Sequence, residues 1–222
     1  WAEANDGGDP NLEVQERDIV YMQSAPFNGK PTKLASTSLR YGGIVWGDEN
    51  RAWLNEQWWA NRMEKSTIID PSKPGQPGHV IIERATTERY NDPGNPMTVK
   101  NQYGRNVLKL DKDDVFMTSV GGSPEGDRPF LSRFNLKTKK QEILFRSEAP
   151  YYERPIDIIS EKADRIITIR ESQDEPENYF IRDLKKGTLT AITDFPHPQP
   201  EMMAVNKEII KYKRKDGVDL TA

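Results

Sequence analysis

The sequence predicts an all-β chain assembled from repeated pairs of hairpins. Helical periodicity is scarce over its 222 residues, and short alternating runs are punctuated by 15 Gly and 16 Pro. The same two-hairpin pattern then returns several times along the chain.

Four stretches read as an apolar strand, a charged turn and a second apolar strand. They are "GGIVWGDENRAWLNE" (42–56), "NVLKLDKDDVFMTSV" (106–120), "IDIISEKADRIITIR" (156–170) and "MMAVNKEIIKYKR" (202–214). A second type of strand pair lies before or after each: "RDIVYMQSAPFNGKPTKLAST" (17–37), "STIIDPSKPGQPGHVIIER" (66–84), "FLSRFNLKTKKQEILFRS" (130–147) and "NYFIRDLKKGTLTAITDF" (178–195). Three of these carry Asp or Asn near the end of their first strand, at Asp70, Asn135 and Asp183. With the last strand as ruler, Leu34, Val80, Ile143 and Leu189 stand 46, 63 and 46 positions apart.

Four strands per unit at this period is the pattern of β-propeller blades. A β-sandwich also shows regularly spaced short strands, but recurrence of the whole unit favours the propeller. The expected architecture is a partial β-propeller of about three complete four-stranded blades plus incomplete ends. Within a propeller portion spanning 1–200, a partial blade occupies 1–41 and blades occupy 42–85, 106–147 and 156–195. An insertion rich in Pro, Gly and Asn fills 86–105. In the last stretch, Asp216-Gly217 lies between two alternating runs, which predicts a hairpin with a two-residue type I′ turn.

Composition limits the function classes. Hydrophobic residues make up 35% and charged residues 30%, and 32 basic against 35 acidic residues leave a net charge of −3. That balance offers no field for nucleic acid or a membrane, and no apolar run reaches the ~18 residues of a membrane span. Cysteine is absent, so thiolate metal sites and a cysteine nucleophile are excluded. No metal or cofactor is expected. "ESQDEPE" (171–177) lacks the Asp-x-Asp-x-Asp-Gly spacing of a calcium loop.

A meander fixes which loops share an end. Counting strands A to D from the axis outward, the B–C and D–A loops lie at one face and the A–B and C–D turns at the other. The first face gathers 5–16, 57–65, 121–129, 147–155, 171–178 and the insertion.

"WAEANDGGDP" (1–10), "RESQDEPENYFIRDL" (170–184) and above all "EIIKYKRKDGVDLTA" (208–222) resemble the glutamyl endopeptidase-like branch of the prolyl oligopeptidase family of serine peptidases. The resemblance implies a propeller followed by an α/β-hydrolase domain, with 201–222 as the crossing segment and the hydrolase beyond Ala222. It implies a peptidase whose propeller caps the active site and gates peptide substrates, cleaving after Glu. The family's nucleophile sits in a Gly-x-Ser-x-Gly elbow, followed by Asp and then His. No such elbow occurs here, since "GGSPEG" (121–126) has the wrong spacing. His79 and His197 sit beside Gly78 and between prolines. No catalytic residue is carried over, and the chain by itself is expected to be inactive. A periplasmic or secreted setting is favoured over the cytoplasm.

Candidate substrate contacts cluster on the loop face. Arg154 and Arg170 offer planar guanidinium forks suited to a carboxylate, although most of the basic residues should be solvated or paired. Glu171, opening the acidic run, suits a peptide amino terminus or a cation, while an acidic surface loop, or one that pairs with the hydrolase, is the simpler reading. Tyr151 and Tyr152, like Trp58 and Trp59, are adjacent aromatics whose side chains should point to opposite sides of a strand. One of each pair should pack between blades and the other be exposed, placed to stack on a peptide or to sit in a domain interface. Trp46 and Trp53 read as core. Two rival functions remain: a stand-alone propeller acting as a binding platform, and a propeller glycosidase, which needs two facing carboxylates.

Overall fold

The computed structural model describes residues 1–201, 205 and 208–222, and the chain divides into two compact units, Trp1–Glu148 and Ala149–Ala222. Every sheet is antiparallel. In the first unit, β1 (Ala2–Ala4), β2 (Asp18–Met22) and β3 (Thr32–Thr37) form a three-stranded sheet in chain order. The next sheet is a four-stranded meander of β4 (Arg40–Asp48), β5 (Arg51–Trp58), β6 (Met63–Ile69) and β7 (His79–Ala85).

A third sheet follows with an interruption that the sequence pattern does not show. Its innermost strand is split into β8 (Asn95–Pro96) and β11 (Leu110–Asp111), both paired with β12 (Asp114–Ser119). Between the halves the chain makes a separate hairpin of β9 (Thr98–Lys100) and β10 (Asn106–Leu108). Lys109 N–H donates to Met97 O at 2.9 Å, closing the hairpin at its base. A small ribbon of β13 (Gly122–Ser123) and β14 (Gly126–Asp127) rises from the next connection, and β15 (Phe130–Asn135) and β16 (Gln141–Arg146) complete the sheet. The segment read as an insertion therefore supplies part of a strand. Pro96 explains why this was hidden: proline lacks the donor of a central strand and is tolerated at a sheet edge.

Alternation along the strands builds the cores. On β5, Ala52 and Leu54 point to one face and Trp53 to the other, and all three are buried. Ala52, Leu54 and Ile69 pack against Val20, Leu34 and Ala35 of the first sheet. Trp53 and Ile81 pack on the opposite face against Leu108, Val115, Met117 and Phe134. The three sheets thus stack face to face as successive propeller blades. Gly47 permits the hairpin to join this stack, because a Cβ there would stand 2.8 Å from Arg51 O and 3.2 Å from the Leu108 and Leu110 methyls. Trp46, expected in the core, is 42% exposed on the innermost strand. It stands opposite Ala52 on β4, the edge strand of its sheet.

The second unit repeats the meander with β17 (Tyr152–Ile158), β18 (Arg165–Glu171), β19 (Asn178–Asp183) and β20 (Thr188–Ala191). Ile158, Ala163, Ile166, Thr168 and Ile169 are buried on its two faces. Asn178 fastens the chain that leaves β20: its Oδ1 accepts from Phe195 N–H and Thr193 Oγ1, both at 2.7 Å. Among the described residues, the fold is the all-β partial propeller the sequence predicts.

The repeat extends to its turns. Asp70 Oδ1 accepts from Ser72 N–H, Asn135 Oδ1 from Lys137 and Thr138 N–H, and Asp183 Oδ1 from Lys185 and Lys186 N–H. Each carboxylate or amide satisfies backbone donors where the third strand ends, which is why Asp or Asn recurs there.

The strand pair expected over 202–214 falls partly on residues outside those described. Beyond them, β21 (Lys211–Lys213) pairs with β22 (Asp219–Thr221). The turn differs from the predicted two-residue type. Gly217 N–H donates to Arg214 O and Arg214 N–H to Val218 O, both at 2.9 Å, and positive φ occurs at Gly217 (+89°) but not at Asp216. This is a three-residue loop, a turn closed by one left-handed glycine. Asp216 instead pairs its carboxylate with Arg214, which favours the longer loop.

Candidate functional site

In the first unit, the B–C and D–A connections gather at one end around a buried ionic network. Asp6, in the loop after β1, accepts from Arg40 Nη1 at 2.8 Å, Arg40 Nη2 at 2.7 Å and Arg17 Nη1 at 2.9 Å. Arg40 also reaches Asp18 Oδ1 at 2.8 Å, while Asp18 Oδ2 accepts from Tyr41 N–H. The Arg17 guanidinium lies 4.0 Å from the Trp58 ring centre, a cation–π contact. Glu56 accepts from Ser38 and Leu39 N–H and pairs with Lys65 at 3.1 Å. The Arg40 hydrogen bond holds the Asp6 carboxyl below the usual range against the opposing effect of burial. Each carboxylate in this network is met by donors of the chain itself, so it acts as a clasp between sheets. Trp58, the last residue of β5, is half-buried under Arg17, whereas Trp59, in the turn that follows the strand, is 68% exposed.

Elsewhere in the first unit, a cleft of about 570 Å³ opens between the turn at Arg89–Asn91 and the β13–β14 ribbon. Arg89 and Asp127 bridge it at 3.1 Å, and Tyr90 stands 67% exposed on its rim. Ser123 Oγ donates to Gly126 O at 2.7 Å within the ribbon's own turn. Among the described residues no three Asp, Glu or His side chains come together as a metal site.

The second unit carries the five residues singled out as substrate contacts, and its register divides them. Tyr152 lies opposite Glu171, and Glu153 opposite Arg170. Directly opposed residues share a face, so Tyr152, Arg154 and Glu171 belong to one face and Tyr151 and Arg170 to the other. The 171–177 loop spans both. Glu177 Oε1 accepts from Arg154 Nη2 at 2.6 Å on one side, and Glu175 Oε2 from Arg170 Nη2 at 2.9 Å on the other. Glu171 itself is exposed and Tyr152 half-buried.

Arg170 is the more closely held arginine. Its guanidinium carbon is 3.9 Å from the Tyr151 ring centre and 4.5 Å from that of Phe180, and its side chain is 15% exposed. The Tyr151 hydroxyl donates to Glu175 Oε1 at 3.0 Å, so two donors grip one carboxylate. The hydrogen bond to Glu175, together with its charge, raises the Tyr151 pKa. Below this group, buried Glu153 receives Arg182 Nε at 2.9 Å, Arg182 Nη2 at 2.6 Å and Thr168 Oγ1 at 2.6 Å. Sequence reasoning found the arginines and Tyr151 but not Glu175 and Glu177, their partners. The acidic run was visible, and its pairing with Arg154 and Arg170 was not.

No family model matches the chain. It is 37% identical over its whole length to "Probable glutamyl endopeptidase, chloroplastic" from Oryza sativa subsp. japonica. It is 36% identical, again over its whole length, to the protein of the same description from Arabidopsis thaliana. The chain is related, end to end, to the glutamyl endopeptidase-like branch of the prolyl oligopeptidase family. It spans about 25% of the length of each of these relatives. A solved structure of a puromycin hydrolase aligns over 86% of this chain and 34% of that one, at 9% identity and a TM-score of 0.44. The fold assignment rests on the strand order described above. Among the described residues no helix is long and apolar enough to cross a membrane.

Proposed function

We propose that this chain is the non-catalytic propeller part of a serine peptidase, one that caps a hydrolase domain and restricts entry to peptides. The observation that carries the reading is the end-to-end similarity to two proteins described as probable glutamyl endopeptidases, of which the chain spans a quarter. The Gly-x-Ser-x-Gly elbow is absent from these residues, which agrees with a nucleophile supplied by a separate hydrolase domain. On this reading the bound peptide approaches Arg154, Arg170, Glu171, Tyr151 and Tyr152, and cleavage follows Glu.

The reading is tested with the protein produced from its whole reading frame and paired peptides that differ only by Glu or Gln at one position. Cleavage after Glu, with much slower cleavage after Gln, is expected. Failure to cleave either peptide overturns the peptidase reading. Equal cleavage of both overturns the preference for Glu alone.

A further inference from the structure

The Tyr151–Arg170 pair is built as a receptor for one carboxylate. The guanidinium is held between two rings, which fixes its plane. The Tyr151 hydroxyl adds a second donor aimed at the same group, so a carboxylate can be gripped through both of its oxygens. Glu175 occupies that position, bound through Arg170 Nη2 and the tyrosine hydroxyl.

Glu175 leaves part of the receptor unused. Arg170 Nε is buried without a hydrogen-bond partner, a costly state for a charged donor. A carboxylate binding side-on, through Nε and Nη2, would satisfy it. The resident glutamate is also open to solvent. Its side chain is 49% exposed, and it sits on a connection held by a few local hydrogen bonds, Asp174 and Glu175 N–H to Ser172 Oγ and Ser172 N–H to Glu175 O.

We propose that Arg170 and Tyr151 form a binding site for a peptide carboxylate, with Glu175 as its built-in occupant, which an incoming acidic group displaces. The inference rests on the reading that peptides approach this loop. Its ligand is a carboxylate from either an acidic side chain or a chain terminus. Glu177 pairs with Arg154 on the other face of the sheet, so the same loop carries a second, independent carboxylate–arginine contact.

The test is a binding titration of the whole chain, followed by NMR through the Tyr151 ring and Arg170 side-chain signals. The two probes are N-acetylglutamate amide, whose only carboxylate is on its side chain, and N-acetylalanine, whose only carboxylate is terminal. Replacing the competitor, as Glu175→Gln or Glu175→Ala, should tighten binding of at least one probe about tenfold, the expected size for removing one charge-assisted contact. Adding Tyr151→Phe or Arg170→Lys to Glu175→Ala should abolish that gain. Tyr151→Phe keeps the ring stack, so it separates loss of the donor from loss of folding. A gain with the first probe alone assigns the site to acidic side chains, and a gain with the second alone to chain termini. Equal affinity with and without Glu175, or a gain that survives both second substitutions, overturns the proposal. These titrations need no peptidase activity, so their failure is distinct from failure of the peptidase reading.

Discussion

The Asp6 carboxylate grips the Arg40 guanidinium with both oxygens, at 2.8 and 2.7 Å, joining a loop of the first sheet to the first strand of the second. The two residues are 34 positions apart, and Asp6 is 5% exposed. Removing one partner of such a pair strands the other's charge. Asp6→Asn should therefore lower the melting temperature by several degrees, whereas Asp9→Asn, on the exposed part of the same loop, should leave it nearly unchanged. Equal melting of the two variants would show that the pair does not hold the sheets.

The same pair sets an acid dependence. The native Asp6 pKa lies below its ordinary value of 3.8, chiefly through the Arg40 hydrogen bond. A depressed native pKa contributes stability that is fully present above the unfolded value. That contribution is lost as the pH falls from about 5 through the native pKa. Melting curves from neutral to acid pH should show a steeper fall for the unaltered chain than for Asp6→Asn. Parallel curves would contradict the assignment.

Thr67 supplies a prediction of the opposite sign. Its side chain is 7% exposed, and its Oγ1 is buried with no hydrogen-bond partner. Thr67→Val replaces that hydroxyl with a methyl of similar size and should stabilise by about 1 kcal/mol, read as a higher denaturant midpoint at unchanged slope. A loss of stability would reveal a partner for the hydroxyl.

Gly121 is fixed by space as well as by conformation. Its φ is +64°, and a Cβ would stand 1.9 Å from Arg128 O. Gly121 O also accepts from Arg128 N–H at 2.9 Å, which closes the base of the β13–β14 ribbon. Gly121→Ala should cost more than ~1 kcal/mol and shift the amide signals of 122–128. Gly126→Ala removes a glycine at positive φ with open space around it, so it should cost less.

What was legible in the sequence was local and periodic. Alternation located the four-stranded units, and Asp70, Asn135 and Asp183 marked the same turn in each because all three satisfy backbone donors there. What was not legible depended on distant partners. Nothing near Asp6 announces Arg40, and nothing in "ESQDEPE" says which arginine each glutamate will meet. Pro96 broke the expected strand pattern, so the β8 half of the inner strand read as part of an insertion. The separation of Arg154 from Arg170 by the sheet follows from register, which a bulge between Pro155 and Asp157 also shifts.

The central claim, that these residues serve a serine peptidase whose nucleophile lies elsewhere, is tested most directly by active-site labelling. The protein produced from its whole reading frame would be treated with a fluorophosphonate and the modified peptide identified by mass spectrometry. The account predicts one labelled serine, within a Gly-x-Ser-x-Gly sequence outside residues 1–222, and no label on Ser123 or any other serine of this chain. A whole protein that takes up no label, or takes it up within these 222 residues, would contradict it.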